Sequence, residues 1–105
     1  MLYSFTGSGG DGWNPIGTLS NVKGNLFGST DLGGGTTFCG GGGCGTVFEL
    51  TLKNKIWSEA ILYGFTGSSD GGEVTSGVVA DPSGNLYGVA QLGGGGYGVV
   101  YEVTP

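Results

Sequence analysis

The stretch GNLFGSTDLGGG at residues 24–35 returns as GNLYGVAQLGGG at residues 84–95, sixty positions later. Its flanks return with it. LYSFTG at 2–7 recurs as LYGFTG at 62–67, and GTVFELT at 45–51 recurs as GVVYEVT at 98–104. The last displacement is fifty-three, because TTFCGGGGC between Gly35 and Gly45 is replaced by Gly96 and Tyr97 alone. The 105 residues therefore form a single two-repeat unit, with repeat 1 over about 2–61 and a shorter repeat 2 over about 62–105. A fixed period of this length marks a repeat architecture, in which each copy covers its neighbour's apolar face.

Within each repeat, short strand-like runs alternate with turn signals. IGTLS at 16–20 and GVVA at 77–80 lead into NVKG or DPSG and then into NLFGST or NLYGVA, which predicts a hairpin. Pro82 presets a turn dihedral, and Gly24 and Gly84 accept the positive φ that a reversal needs. VFELTL and VVYEV supply a third strand. WSEAILYGF at 57–65 supplies a fourth, with Trp57, Ile61, Tyr63 and Phe65 expected on one face and Ala60 and Leu62 on the other.

Both faces of these strands carry apolar residues, which suits sheets covered on both sides by other sheets. The expected fold is all-β, built of four-stranded β-propeller blades, two per chain. Two blades cannot close a ring and would leave strand edges open. Homo-oligomerisation is therefore expected, with the N-terminal strand 2–6 completing a blade with the C-terminal strands of a neighbouring chain. A homotrimer of six blades is favoured and a homotetramer of eight is the alternative.

Composition narrows the function. Glycine at 27 positions and 37% hydrophobic residues predict a thin core, yet the β-branched and aromatic runs argue against disorder. A net charge of −5, with three lysines and neither arginine nor histidine, argues against nucleic acid and anionic membrane as partners. No run is long and apolar enough to span a bilayer. MLYSFTGSGG lacks the basic and apolar regions of a signal peptide, so a secretion signal and a cell-surface anchor are expected to be absent from this chain.

The pattern LYSFTG, DGWNP, GNLFGST, GGG, CGTVFEL resembles the tandem GloVer repeat of long, secreted, often surface-anchored bacterial proteins, over essentially the whole chain. The resemblance implies an extracellular or cell-surface setting and a propeller-like fold, and it supplies no activity or catalytic residues. The chain departs from that family in having two repeats rather than many, and in GGEVTSG standing where repeat 1 has DGWNPIG. Cys39 and Cys44 suit an extracellular setting. The four glycines between them let the backbone fold back into disulfide geometry, for a gain of about 2 kcal/mol on loop entropy. Free thiols are the alternative, and a metal site would lack a second cysteine pair or a histidine.

Candidate chemistry is sparse. Without histidine the usual general base and the Ser-His and Cys-His pairs are missing. The glycine runs lack the lysine of a phosphate loop, so no cofactor is expected. Asp11, Asp31, Asp70, Asp81, Glu49, Glu59, Glu73 and Glu102 could in principle supply the two carboxylates of a glycosidase, but no pair is evident in the sequence. Glu49 and Glu102 hold equivalent positions and read as exposed third-strand residues. Asp11-Gly12 and Asp70-Gly71 read as turns rather than calcium loops. Binding suits the chain better than catalysis. Trp13 with Asp11 and Asn14 would offer a sugar an apolar face and polar partners, and Phe38 and Tyr97 are further loop aromatics. Trp13 packing between blades is the competing expectation, and Trp57 is expected to pack in a blade. The leading expectation is a non-enzymatic extracellular scaffold or interaction module. A multivalent glycan-binding propeller is second, and a carboxylate glycosidase is third.

Overall fold

Lys23 and Gly24 both take positive φ, 53° and 89°, the pair of left-handed residues that a two-residue hairpin turn requires. They join β1 (Gly12–Val22) to β2 (Asn25–Gly33), with Val22 opposite Asn25. Asn54 and Lys55, at 52° and 65°, do the same between β3 (Thr46–Lys53) and β4 (Ile56–Gly64). The result is an antiparallel sheet in the order β1-β2-β3-β4. The structure is a computed structural model describing residues 1–36, 39 and 41–105, and among these residues every element is a strand.

Repeat 2 builds a second antiparallel sheet around β7 (Leu86–Leu92). One edge of β7 pairs with β8 (Val99–Val103), and the other pairs with β5 (Gly72–Val74) and then β6 (Val79–Ala80). β5 and β6 together hold the place of β1. Where DGWNPIG runs through continuously, DGGEVTSG carries one more residue, and the ladder breaks between Val74 and Val79. The chain is thus all-β, with two four-stranded antiparallel sheets.

Residues 2–6 form no strand within the single chain. They lie across the first sheet, where Phe5 meets Phe48 edge-on at 5.1 Å and Tyr3 meets Phe5 at 5.2 Å. One expectation needs correction: Trp57, Ile61, Tyr63 and Phe65 do not share one face, because the ladder passes from Phe48↔Ile61 to Val47↔Tyr63 and skips Leu62. This bulge turns Tyr63 to the opposite side from Ile61.

That turn matters because the two sheets meet through unlike faces. From the first sheet come Phe27, Ser29 and Val47; from the second come Val78, Leu86, Ala90 and Tyr101, with Phe65 edge-on to Tyr101 at 4.9 Å. Equivalent positions therefore have opposite fates. Val47 is 0% exposed and its counterpart Val100 is 79% exposed, whereas Leu86 is fully buried and its counterpart Leu26 is only half-buried. The packing is head-to-tail, a step from one repeat to the next rather than a two-fold.

Close approach needs glycine. A Cβ on Gly77 would stand 2.2 Å from the Thr18 carbonyl oxygen, and one on Gly17 would stand 2.2 Å from the Gly77 nitrogen. Beside this contact the Ser20 hydroxyl donates to the Val78 carbonyl and the Ser29 hydroxyl to the Ser76 carbonyl.

Gly77→Val forces backbone apart where no flexible side chain can yield, and is expected to cost about 2–4 kcal/mol in urea unfolding. Gly95→Ala, whose Cβ would meet nothing nearer than 3.9 Å, is expected to stay within about 0.5 kcal/mol.

Candidate functional site

Asp11 and Asp70 stand at the mouths of the two sheets and do the same work. Each carboxylate clasps the LYxFTG segment of its own repeat. Asp11 Oδ2 accepts from the Tyr3 hydroxyl at 2.9 Å, the Thr6 N–H at 2.8 Å and the Thr6 hydroxyl at 3.0 Å, while Oδ1 accepts from the Gly12 N–H at 2.8 Å. Asp70 accepts from the Tyr63 hydroxyl at 2.5 Å, the Thr66 N–H at 3.1 Å and the Thr66 hydroxyl at 2.6 Å. Burial pushes both carboxyls up, but the donated hydrogen bonds, led by those of Thr6 and Thr66, outweigh it and leave both below the ordinary value. The two Asp-Gly turns are clasps, with their carboxylate oxygens already occupied.

Glu59, on β4, lies beside Asp11 and Tyr3. Its Oε2 is buried with no hydrogen-bond donor opposite it, as expected where one carboxyl faces another. Two such groups can hydrogen-bond only if one keeps its proton. Burial, and then Asp11, hold Glu59 protonated up to about pH 7, and burial with the Asp11 hydrogen bond raises the Tyr3 hydroxyl as well. Sequence reasoning did not single out Glu59 as Asp11's neighbour, although the recurrence of Tyr, Thr and Asp at 3, 6, 11 and 63, 66, 70 signals the clasp itself.

The remaining carboxylates are dispersed. Asp81 closes its turn by accepting from the Ser83 and Asn85 N–H groups and the Tyr87 hydroxyl. Asn25 donates to Glu49, Tyr87 to Glu102, and Asn14 to Asp31 at 3.3 Å.

A cleft of about 470 Å³ opens at the end of the first sheet between Phe5, Thr6, Asp11, Trp13 and Gly42. Trp13 is 42% exposed and its indole N–H donates to the Gly42 carbonyl at 3.2 Å. The structure therefore brings Asp11 and Trp13 together. Asn14 does not line this cleft, and Tyr97 stands out from the loop of repeat 2, 97% exposed. Phe38 lies outside the described residues. Trp57 is half-buried on β4 opposite Leu52.

Cys39 and Cys44 form a disulfide, compatible with an oxidising extracellular setting. The bridge is a contact between the repeats as well as a brace for its loop. A Cβ on Gly67 would lie 2.7 Å from Cys44 Sγ and 2.8 Å from Cys39 Sγ, and one on Gly72 would lie 3.2 Å from Cys44 Cβ. The Glu73 N–H donates to the Cys44 carbonyl at 3.0 Å.

These features define an all-β protein whose two sheets are joined head-to-tail through glycine contacts, with hydrogen-bonded clasps at their mouths. No family model matches the chain, and no curated protein or solved structure matches it.

The clasps predict opposing pH effects. Asp11 and Asp70 are depressed in the folded state, so the stability they contribute is present above their ordinary range and is lost as pH falls through the folded values. Glu59 ionises near its ordinary 4.5 when unfolded and near 7 when folded, so the stability from its retained proton is lost as pH rises from about 4.5 to 7. Glu59→Gln is expected to flatten the urea midpoint between those pH values, and an unchanged slope would show that Glu59 is not the group responsible.

Proposed function

We propose that this chain is a non-enzymatic, self-assembling scaffold whose sheets are β-propeller blades, closed into a ring by copies of the same chain. One observation carries the reading: the sheets of repeats 1 and 2 pack through unlike faces, and on the outside of the chain the second sheet's other face is exposed while the first sheet's other face carries an open apolar groove. Val100 and Val89 project from the second sheet at the positions where Val47 and Ser29 are buried in the first. On the first sheet Phe48 and Leu50, at the positions of Tyr101 and Val103, are already buried, Phe48 against Phe5, and the apolar groove beside them is lined by the exposed Leu19 and Pro15. Applying the intramolecular step between repeats once more brings one copy's second sheet onto the next copy's first sheet. This is a heterologous contact, which closes if its rotation divides a circle.

The strand edges support the same arrangement. β3 is flanked by β4, whereas its counterpart β8 has only β7. Residues 2–6 correspond to 62–66 at the end of β4 and beyond, so this segment of a neighbouring copy is the matching strand for β8. Three copies give six blades, our preferred assembly, and four give eight. The disulfide and the resemblance to surface-displayed GloVer repeats favour an extracellular location.

Light scattering after size exclusion under oxidising conditions is expected to return three or four chain masses. Val100→Asp, an exposed position in the single chain, is expected to give a monomer with unchanged β-structure by circular dichroism. Val47→Asp, the same repeat position buried between the sheets, is expected to unfold the chain. A wild-type protein that remains monomeric at high micromolar concentration overturns the scaffold reading.

A further inference from the structure

The two repeats differ most at one place, and the difference is paired. Repeat 1 carries the long loop 36–44 with its disulfide, and repeat 2 has only Gly96 and Tyr97. On the receiving side, repeat 1 has Trp13 where repeat 2 has Gly72. Within the chain, the long loop of repeat 1 meets the small residue of repeat 2. The disulfide sits over Gly67 and Gly72, and a larger side chain at 72 would run into it.

The backbone carries Tyr97 to the corresponding point. Gly45 and Gly98, which follow Cys44 and Tyr97, take φ of 103° and 105°. Their Cβ positions face equivalent carbonyl oxygens, Thr30 and Asp31 in one case and Ala90 and Gln91 in the other. Tyr97 therefore leaves the second sheet where Cys44 leaves the first. The receiving surface is equally matched. Asn14 and Glu73 are non-glycine residues with positive φ, 60° and 49°, and the Glu73 N–H is the group that donates to the Cys44 carbonyl. Gly7 and Gly67 both take positive φ. The group nearest a Cβ on Gly67 is the disulfide, and the group nearest one on Gly7 is the Trp13 indole, at 3.5 Å.

We propose that Tyr97 of one copy seats against Gly7 and Trp13 of the next, as Cys44 seats against Gly67 and Gly72 within the chain. The proposal rests on the self-assembly reading and specifies its joint. The short loop leaves room that the indole fills, so ring and indole meet as an aromatic pair, and the Tyr97 carbonyl accepts from the Asn14 N–H. The pairing also dictates order. A disulfide loop brought onto a repeat 1 surface would compete with Trp13 for one volume, so repeat 1 accepts only repeat 2 of another copy. This alternation excludes rings with mispaired repeats. Both aromatic rings, exposed in the single chain, then become interface residues, and the cleft beside Trp13 becomes the socket for a loop of a second copy.

The test is sedimentation equilibrium of the wild type, Tyr97→Ala, Trp13→Ala and the double variant, with Trp13 emission followed in a Trp57→Phe background. Tyr97 is almost fully exposed, so its truncation leaves the fold of the single chain intact. The expected result is association weakened tenfold or more by either substitution, no further loss in the double variant, and a blue shift of Trp13 emission on assembly that Tyr97→Ala abolishes. Wild-type assembly with dissociation constants and Trp13 emission unmoved by these substitutions overturns the joint and leaves the scaffold standing. A wild type that does not assemble overturns the scaffold reading, and the joint falls with it.

Discussion

The contact between Gly17 of the first sheet and Gly77 of the second is the constraint on which the rest depends. At 2.2 Å from a virtual Cβ to backbone, neither position admits a side chain. The sheets approach along that line and leave a thin interior for a few residues to fill. Phe27, Val47, Val78, Leu86, Ala90 and Tyr101 are enough because the gap is narrow. A chain with 27 glycines and few large side chains can bury an apolar layer in this way, by bringing backbones together rather than by stacking bulk between them. The Ser20 and Ser29 hydroxyls reach carbonyls of the facing segment only because of the same proximity.

Head-to-tail packing follows from repetition and has a cost. When each repeat offers one face to its predecessor and a different face to its successor, any finite run ends with two complementary faces that no repeat covers. Val79, Val89 and Val100 are exposed on one side, and on the other Leu19 is exposed beside Phe48, which Phe5 of the same chain buries. Their arrangement has a physical reason that a lone hydrophobic surface residue would lack, since the partner each would meet is present elsewhere in the same chain. The clasps belong to this scheme. Asp11 and Asp70 hold a segment by its Tyr and Thr hydroxyls and a backbone N–H, so the LYxFTG link is tied to the sheet that follows it.

The divergence between the repeats carries as much information as their similarity. A perfect repeat would let any copy meet any other. Within the chain the disulfide loop of repeat 1 meets Gly67 and Gly72 of repeat 2, whereas repeat 2 has a short loop and repeat 1 has Trp13 at the place of Gly72, so under the proposed assembly each contact would have its own complement.

The sequence by itself determined the strands of the regular segments, the two-repeat organisation and the all-β class. Its alternating apolar runs, turn residues and sixty-residue echo act locally, and local signals survive without knowledge of what packs on them. It also made the Cys39–Cys44 bridge legible, since four intervening glycines place few limits on closure. Tertiary structure alone decided which face each residue serves. A bulge at Leu62 reversed the expected side of Tyr63, because a one-residue slip in a period of two exchanges faces. The N-terminal LYSF, strand-like in composition, is no strand in the single chain, because a strand needs backbone pairing that composition does not reveal, and here the segment packs Phe5 on Phe48 instead. The site was legible only in part. Asp11 and Trp13 do share a cleft, but Asn14 turns to Asp31 and Tyr97 projects alone, since neighbours in sequence alternate across a strand and loops of different repeats meet only through packing.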